Sequence, residues 1–381
     1  MRIAFHAPLK PPDAPTPSGD RRMARLLIAA LRQAGHDVRL ASRLRSREPD
    51  GNRARQRRIE VRGRRIACAL AERARRPGAW VPDLWFTYHL YYKAPDWLGP
   101  TVCRELAIPY VVAEASHAGK RATGPWSAWH AAVADALGRA DLVIGLNRAD
   151  RPGVEPALGP GGHYLALRPF IEPSTGPGRE DARRALAARH GLDPGRAWLL
   201  AVGMMRRDVK LESWRLLGAA LERLHDCPDW QLIAAGDGPT RGQVEAALEP
   251  ETLFTGTLGP DELASWMAAA DLCLWPAVAE AYGMALLEAQ AAGMAVVAGA
   301  AGGVPDIVRN GETGLLVPEG DVAAFAGAVR KLLDDAELRR RMGAAAARAV
   351  RARHGLDQAS ARIDAALAQT VRRFRSRRAA A

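Results

Sequence analysis

Lysine is scarce in this chain, and so are cysteine, aromatic residues and long apolar runs. The 54 basic residues include only five lysines, Lys10, Lys93, Lys120, Lys210 and Lys331, which leaves 49 arginines. With the abundance of alanine, that bias looks like a GC-rich coding sequence rather than selection for phosphate contacts. It weakens the nucleic-acid reading that a net charge of +12 invites. No run of about 18 uninterrupted apolar residues occurs, which argues against a membrane-spanning helix. The start, Met1 to His6, is too short and too soon broken by prolines for a signal peptide, and reads as a first β-strand. Cys68, Cys103, Cys227 and Cys273 have no metal-ligand spacing. Cys273 sits in an apolar run, as a free buried thiol does, and a reducing cytoplasm fits. Two arginine clusters, Arg43 to Arg65 and Arg372 to Arg378, read as solvated faces. The first, with little apolar content, reads as a mobile insertion. Contact with an anionic membrane surface is the alternative for each, so peripheral attachment at the inner face of the membrane stays open. Nucleic acid is not expected.

What is present points to two α/β domains. A chain of 381 residues is long for one ordinary core, and 48% apolar content with 36 Gly and 26 Pro describes a turn-rich globular protein. Strand signals alternate with helical spacing throughout, which argues for parallel sheets with crossover helices. Strands are expected at Arg2–Ala7, Asp37–Ser42, Leu84–Thr87, Tyr110–Ala113 and Asp141–Gly145, with helices near Asp20–Ala34 and Trp126–Arg139. A Pro- and Gly-rich stretch from Arg168 to Arg179 reads as a linker. A second alternation follows, with strands at Trp198–Val202, Gln231–Ala235, Leu253–Thr255, Leu272–Trp275, Ala295–Ala298 and Leu315–Val317. The expected division is residues 1–170, residues 171–355, and a C-terminal segment 356–381 with a basic tail. Its amphipathic part, Leu356–Phe374, would pack back on the first domain. Doubly wound sheets bind ligands beyond the carboxyl ends of their strands.

The most informative stretch runs from Trp275 to Ala289. It follows an expected strand and opens a helix at Gly283, leaving the amides of Met284 and Ala285 pointing outward. Such a helix start is an anion site, with phosphate its commonest guest. Glu280 stands before the helix and Glu288 inside it, so the two carboxylates bracket the amides. That arrangement suits gripping hydroxyls at both ends of a nucleotide sugar; a capped helix with a solvated Glu288 is the plain alternative.

The ordered series Pro276-x(3)-Glu280-x-Tyr282-Gly283-x(4)-Glu288-Ala289, Gly293 to Ala298, Gly302-Gly303-Val304-Pro305-Asp306 and Asn310 to Pro318, with Gly236-Asp237-Gly238-Pro239 upstream, resembles the retaining glycosyltransferases of family 4. The N-terminal half resembles them more loosely, through Ser18 to Arg22 and Gly35-His36-Asp37-Val38. The resemblance implies the GT-B fold, two Rossmann-like doubly wound domains facing across a cleft. It implies a nucleotide-diphosphate sugar as donor and a glycan, lipid-linked or small-molecule acceptor. Glu280 would contact hydroxyls of the donor sugar, the backbone at Gly283 to Ala285 would hold sugar and diphosphate, and Glu288 the ribose. Arg206 and Lys210 resemble the basic pair that clamps the diphosphate. Fixed cations there would stabilise charge building on the leaving group. Gly19 resembles the glycine that approaches the donor phosphate, and His117 the family's histidine near the donor sugar. Three positions depart from the pattern: Met204 replaces an arginine, Leu211 a glycine, and Ser18 the first glycine of a pair.

Paired carboxylates also suggest glycoside hydrolysis, but a hydrolase needs no diphosphate clamp. No Asp-x-Asp occurs in a suitable position and no cluster has metal spacing, so neither a required metal nor another cofactor is expected. A sugar-nucleotide epimerase, a phosphorylase and a non-catalytic sugar-nucleotide-binding relative remain the alternatives to transfer.

Overall fold

A computed structural model describes residues 1–14, 18–172, 176–227, 229–248 and 250–380. The chain divides into two units, one of Met1–Phe170 with Leu356–Ala381 and one of Ile171–Gly355. Each is built on its own six-stranded sheet, parallel throughout. Pro173 and Ser174, part of the stretch read as a linker, lie outside the described residues.

The first unit runs β1 (Arg2–His6), α1 (Gly19–Gln33), β2 (Asp37–Ser42), α2 (Arg53–Ala74), β3 (Leu84–Leu90), α3 (Gly99–Leu106), β4 (Tyr110–Ala115), α4 (Ser127–Gly138), β5 (Leu142–Gly145), α5 (Arg151–Val154) and β6 (His163–Ala166). Its sheet order is β2-β1-β3-β4-β5-β6. Strands covered on both faces read as continuous apolar runs, as in Val111, Val112 and Ala113, all fully buried. In α1 the buried residues Met23, Ala24, Leu26, Leu27, Ala30 and Leu31 recur at helical spacing and form its inner stripe.

The region read as a mobile insertion is ordered structure instead. Residues 53–74 form α2, opened by Asn52, whose side chain accepts the amide of Arg55 at 3.0 Å. Its inner face carries the buried Gln56, Gly63, Ala67, Ala71 and Ala74 with Ile59, Ile66 and Leu70 packed half-buried beside them, an apolar stripe at helical spacing set among many arginines. Arg58, Arg62 and Arg65 lie along the exposed face.

The second unit runs α6 (Arg179–His190), β7 (Ala197–Val202), α7 (Val209–Leu221), β8 (Trp230–Ala235), α8 (Arg241–Glu245), β9 (Leu253–Gly256), α9 (Pro260–Ala269), β10 (Leu272–Trp275), α10 (Met284–Ala291), β11 (Ala295–Gly299), α11 (Val304–Ile307), β12 (Gly314–Val317), α12 (Val322–Asp334) and α13 (Ala336–Arg353). Its order, β12-β11-β10-β7-β8-β9, is the dinucleotide-binding order read from one edge. The core holds Trp198, Trp214 and Trp266, all essentially inaccessible.

The last helix, α14 (Leu356–Ala380), belongs to the first unit and packs on α1. Ser360 donates its hydroxyl to the Ala30 carbonyl at 2.8 Å. Within the basic tail Arg377 pairs with Asp141, whose other oxygen accepts the amide of Tyr110 at 2.8 Å. That arginine is structural, not merely solvated.

Candidate active site

In the second unit the chain leaves β7 on one side of the sheet and β10 on the other, and these two strands are neighbours. A sheet opens a crevice at such a switch point, beyond the strands' carboxyl ends. The loops that flank it are residues 203–208 and 276–283.

The first loop is shaped by glycines that no other residue replaces. A Cβ on Gly236, at φ +141°, would lie 1.9 Å from the Gly203 carbonyl oxygen, and one on Gly238, at φ +154°, 2.1 Å from that of Met205. Met205 is buried; its amide donates to the Asp237 carbonyl at 2.9 Å and its carbonyl accepts Thr240 at 3.1 Å. The loop ends at Asp208, which caps α7 by accepting the amide of Lys210 at 3.0 Å. Lys210 is thereby fixed at a helix start with its side chain turned across the crevice.

The second loop carries Glu280. One of its carboxylate oxygens accepts both the Lys210 ammonium and, at 3.1 Å, the Trp275 indole N–H. The Lys210 Nζ lies 5.2 Å from the centroid of the same indole. Both charged side chains are about 15% exposed, so their attraction is less screened than on an open surface. Gly302 and Gly303 pass beneath this loop; a Cβ on Gly302 would come within 1.9 Å of the Glu280 carbonyl oxygen. Ala277 and Ala279 adopt left-handed backbone at φ 60° and 45°. Alanine reaches that region at a cost of about 1–3 kcal/mol, which the surrounding contacts must offset. One such contact is Glu319, which accepts the Ala279 amide at 2.8 Å.

Gly283, at φ 70° and ψ 48°, then opens α10. Leu286 and Leu287 donate to its carbonyl at 2.9 and 3.1 Å, which leaves the amides of Met284 and Ala285 for a partner outside the helix. Glu288 follows one turn later, half-buried, and its charge adds to burial in pushing the Cys273 thiol up to about 12.

The structure therefore joins Lys210 to Glu280 and sets both just ahead of Gly283, Met284 and Ala285. Arg206 shares the first loop but is half exposed, with its Nε 3.3 Å from Asp208. The spacing of motifs did not reveal Trp275, Asp208 or Glu319. Tryptophan directly before the Pro276 turn is the one signal that marks the first. Among the described residues no three His, Cys, Asp or Glu side chains are grouped as metal ligands.

Gly19 and His117 belong to the first unit. Gly19 opens α1, and a Cβ there would meet no atom within 4 Å, so packing alone does not demand glycine. His117, after β4, stacks on His130 at 4.3 Å, and its Nδ1 lies 3.3 Å from the Gly153 carbonyl oxygen. A hydrogen bond to that carbonyl requires a hydrogen on Nδ1.

Next to Gly19, Asp20 meets charge from the loop after β1 and from the end of β3. It pairs with Lys10 and, at 3.3 Å, with His89, which lies 3.9 Å from Glu114. Burial pushes the Asp20 carboxyl up, but His89 and Lys10 outweigh it and hold the group well below the usual carboxylate range. Burial likewise lowers His89, while Glu114 and Asp20 raise it more, leaving a net upward shift. A histidine raised on folding contributes stability that is complete below its unfolded pKa of about 6.5. That contribution is lost as pH climbs through the folded value. Melting temperature should thus fall across this window in the wild type and fall less in His89→Asn, asparagine being tolerated at the φ of 65° found here. Parallel curves for the two proteins would remove His89 as the group responsible.

Residues 196–335, which hold both crevice loops and α10, match the family model described as glycosyl transferases group 1. Over 158 residues the chain is 35% identical to the sulfoquinovosyl transferase SQD2 of Arabidopsis thaliana, covering 40% of this chain and 30% of that one. The chain spans less than half the length of the curated relatives it matches. Among solved structures, sucrose-phosphate synthase of Thermosynechococcus elongatus superposes with a TM-score of 0.72 at 21% identity, over 97% of this chain and 98% of that one. Anabaena HepE in complex with UDP gives 0.70 at 16% identity, over 97% and 100%. These likenesses establish the fold, which is GT-B. No helix among the described residues is long and apolar enough to cross a membrane.

Proposed function

We propose that the protein transfers a glycosyl group from a nucleotide-diphosphate sugar to an acceptor hydroxyl, with retention of configuration and without a divalent metal. The observation that carries this reading is the Lys210–Glu280 pair at the switch point, set ahead of the Met284 and Ala285 amides. Cation and amides converge where the diphosphate of a donor would lie, while a carboxylate stands where its sugar would present hydroxyls. The UDP carried by HepE is the kind of group that such a crevice accepts.

In the step itself the bond from the anomeric carbon to the phosphate oxygen breaks and a bond to the acceptor oxygen forms on the same face. The acceptor proton passes to the departing phosphate oxygen. Lys210, Arg206 and the helix amides stabilise the charge that develops there, Glu280 orients the sugar and Glu288 the ribose. Glu280 is assigned no nucleophilic part. Gly19 and His117 are proposed contributors from the first unit. The exposed arginines of α2 supply the positive face that peripheral contact with an anionic membrane would use.

A thermal-shift screen of UDP, GDP, ADP and TDP and their sugars identifies the donor. Donor-dependent release of the nucleoside diphosphate, accelerated by acceptor, then separates transfer from epimerisation or mere binding. Excess EDTA should leave the initial rate within about twofold, under ~0.4 kcal/mol of barrier. Loss of activity in EDTA, restored by Mg²⁺ or Mn²⁺, would refute the metal-independent part.

A further inference from the structure

The first unit has a switch point of its own. Its order β2-β1-β3 sends the chain to opposite sides after β1 and β3, so a second crevice opens beyond those strands. Arg43-Leu44-Arg45-Ser46-Arg47-Glu48 runs along it. Leu44, Ser46 and Glu48 are buried while the three arginines are exposed, the period of two that puts all three guanidinium groups on one side. The segment is pinned to both flanking loops: Ser46 donates its amide to the Pro8 carbonyl at 2.8 Å, and Glu48 to the Lys93 carbonyl at 3.0 Å.

These arginines differ in their partners. Arg43 is taken by Asp13 at 2.5 Å. Arg45 donates only to a neutral carbonyl, that of Leu9, at 3.3 Å, and Arg47 reaches the Tyr91 phenol. Among the described residues no ion pair joins Arg45 or Arg47 to a carboxylate. Glu48, the nearest in sequence, is occupied by the amides of Asp50, Gly51 and Asn52. Burial lowers the Arg45 pKa, and the nearby charges of Arg47 and Arg21 lower it further. Like charges held together without a counterion favour an anionic guest.

We propose that this crevice binds the acceptor through a phosphate monoester, with Arg45 and Arg47 as its ligands and Tyr91 beside them. Two guanidinium groups balance the charge of roughly −1.5 to −2 on a monoester, whereas a carboxylate leaves one uncompensated. Calling the guest an acceptor rests on the transfer reading; its binding does not.

The test is calorimetric titration of inorganic phosphate into the wild type and into Arg45→Ala/Arg47→Ala, checked for an unchanged melting temperature. The wild type should bind saturably and the double variant at least about tenfold more weakly, with partial recovery in the Arg45→Lys/Arg47→Lys protein. Glucose 6-phosphate should compete with phosphate where glucose does not, if the monoester is soluble. Vesicles containing phosphatidic acid should compete if it is carried on lipid. Equal phosphate affinity in wild type and double variant, or competition by neither probe, overturns the proposal. So does loss of affinity for the nucleoside diphosphate in the double variant, which would give the arginines to the donor. Should the wild type release no nucleoside diphosphate from any sugar donor while phosphate binding still depends on Arg45 and Arg47, the transfer reading fails and the phosphate site stands.

Discussion

Replacing Lys210 with alanine is expected to lower kcat by about 10²–10³, equivalent to about 2.7–4 kcal/mol, the loss measured when one fixed donor to developing charge is removed. The structure adds a complication, since Lys210 also neutralises Glu280. Removing it leaves a mostly buried carboxylate with the Trp275 N–H as its remaining described donor. Exposed pairs contribute about 0–1 kcal/mol and breaking fully buried ones costs about 3–5, so this pair should fall between. Two measurements separate the effects. Adding Glu280→Gln to Lys210→Ala removes the orphaned charge, and should recover most of the lost melting temperature. Turnover should stay low, because the missing cation is the one proposed to face the phosphate. Wild-type kcat in Lys210→Ala, with its donor identified, ends the assignment.

Legibility in the sequence followed burial. Leu272–Trp275 was expected with these same bounds, because a strand buried along its whole length leaves a plain apolar signal. The edge strand β6 was not read: His163 to Ala166 are exposed or half-exposed, and Tyr164, Leu165 and Ala166 make too short an apolar run to mark a strand. Helix α2 was hidden for a different reason. Its apolar stripe of Ile59, Ile66 and Leu70 is diluted by glycine and alanine and crowded by arginines, so composition suggested a solvated insertion where a packed helix forms. At the site, the residues from Pro276 to Glu288 were legible because one loop and one helix carry them all. What tied them to Lys210 was not. Trp275 reaches both partners only after β7 and β10 come together, and the glycines at 236, 238, 302 and 303 act through backbone contacts far along the chain. The arginines at 45 and 47 are a stronger case. Their alternation is plain in the sequence, but the loops that pin the segment at Pro8 and Lys93 are not.

The two glutamates should separate when nucleotide binding and turnover are measured independently. Glu288 is proposed to hold the ribose, so Glu288→Ala should weaken the free nucleoside diphosphate by about 10- to 100-fold, the loss of charge-assisted hydrogen bonds worth about 1.5–3 kcal/mol. Glu280→Ala acts oppositely. In the resting structure the Glu280 carboxylate holds the Lys210 ammonium, and a phosphate must compete for that cation. Deleting the carboxylate releases Lys210, so the free nucleoside diphosphate should bind at least as tightly as to the wild type. The intact donor sugar should gain nothing comparable, because its hydroxyls lose their acceptor, and turnover should drop. Calorimetry with nucleotide alone and with the sugar donor, on both variants, reads each effect directly. Raising the ionic strength provides an internal check: the advantage of Glu280→Ala in nucleotide affinity should shrink as salt screens the freed cation. Equal loss of free-nucleotide affinity in the two variants would show that Glu280 and Glu288 do not divide sugar from ribose.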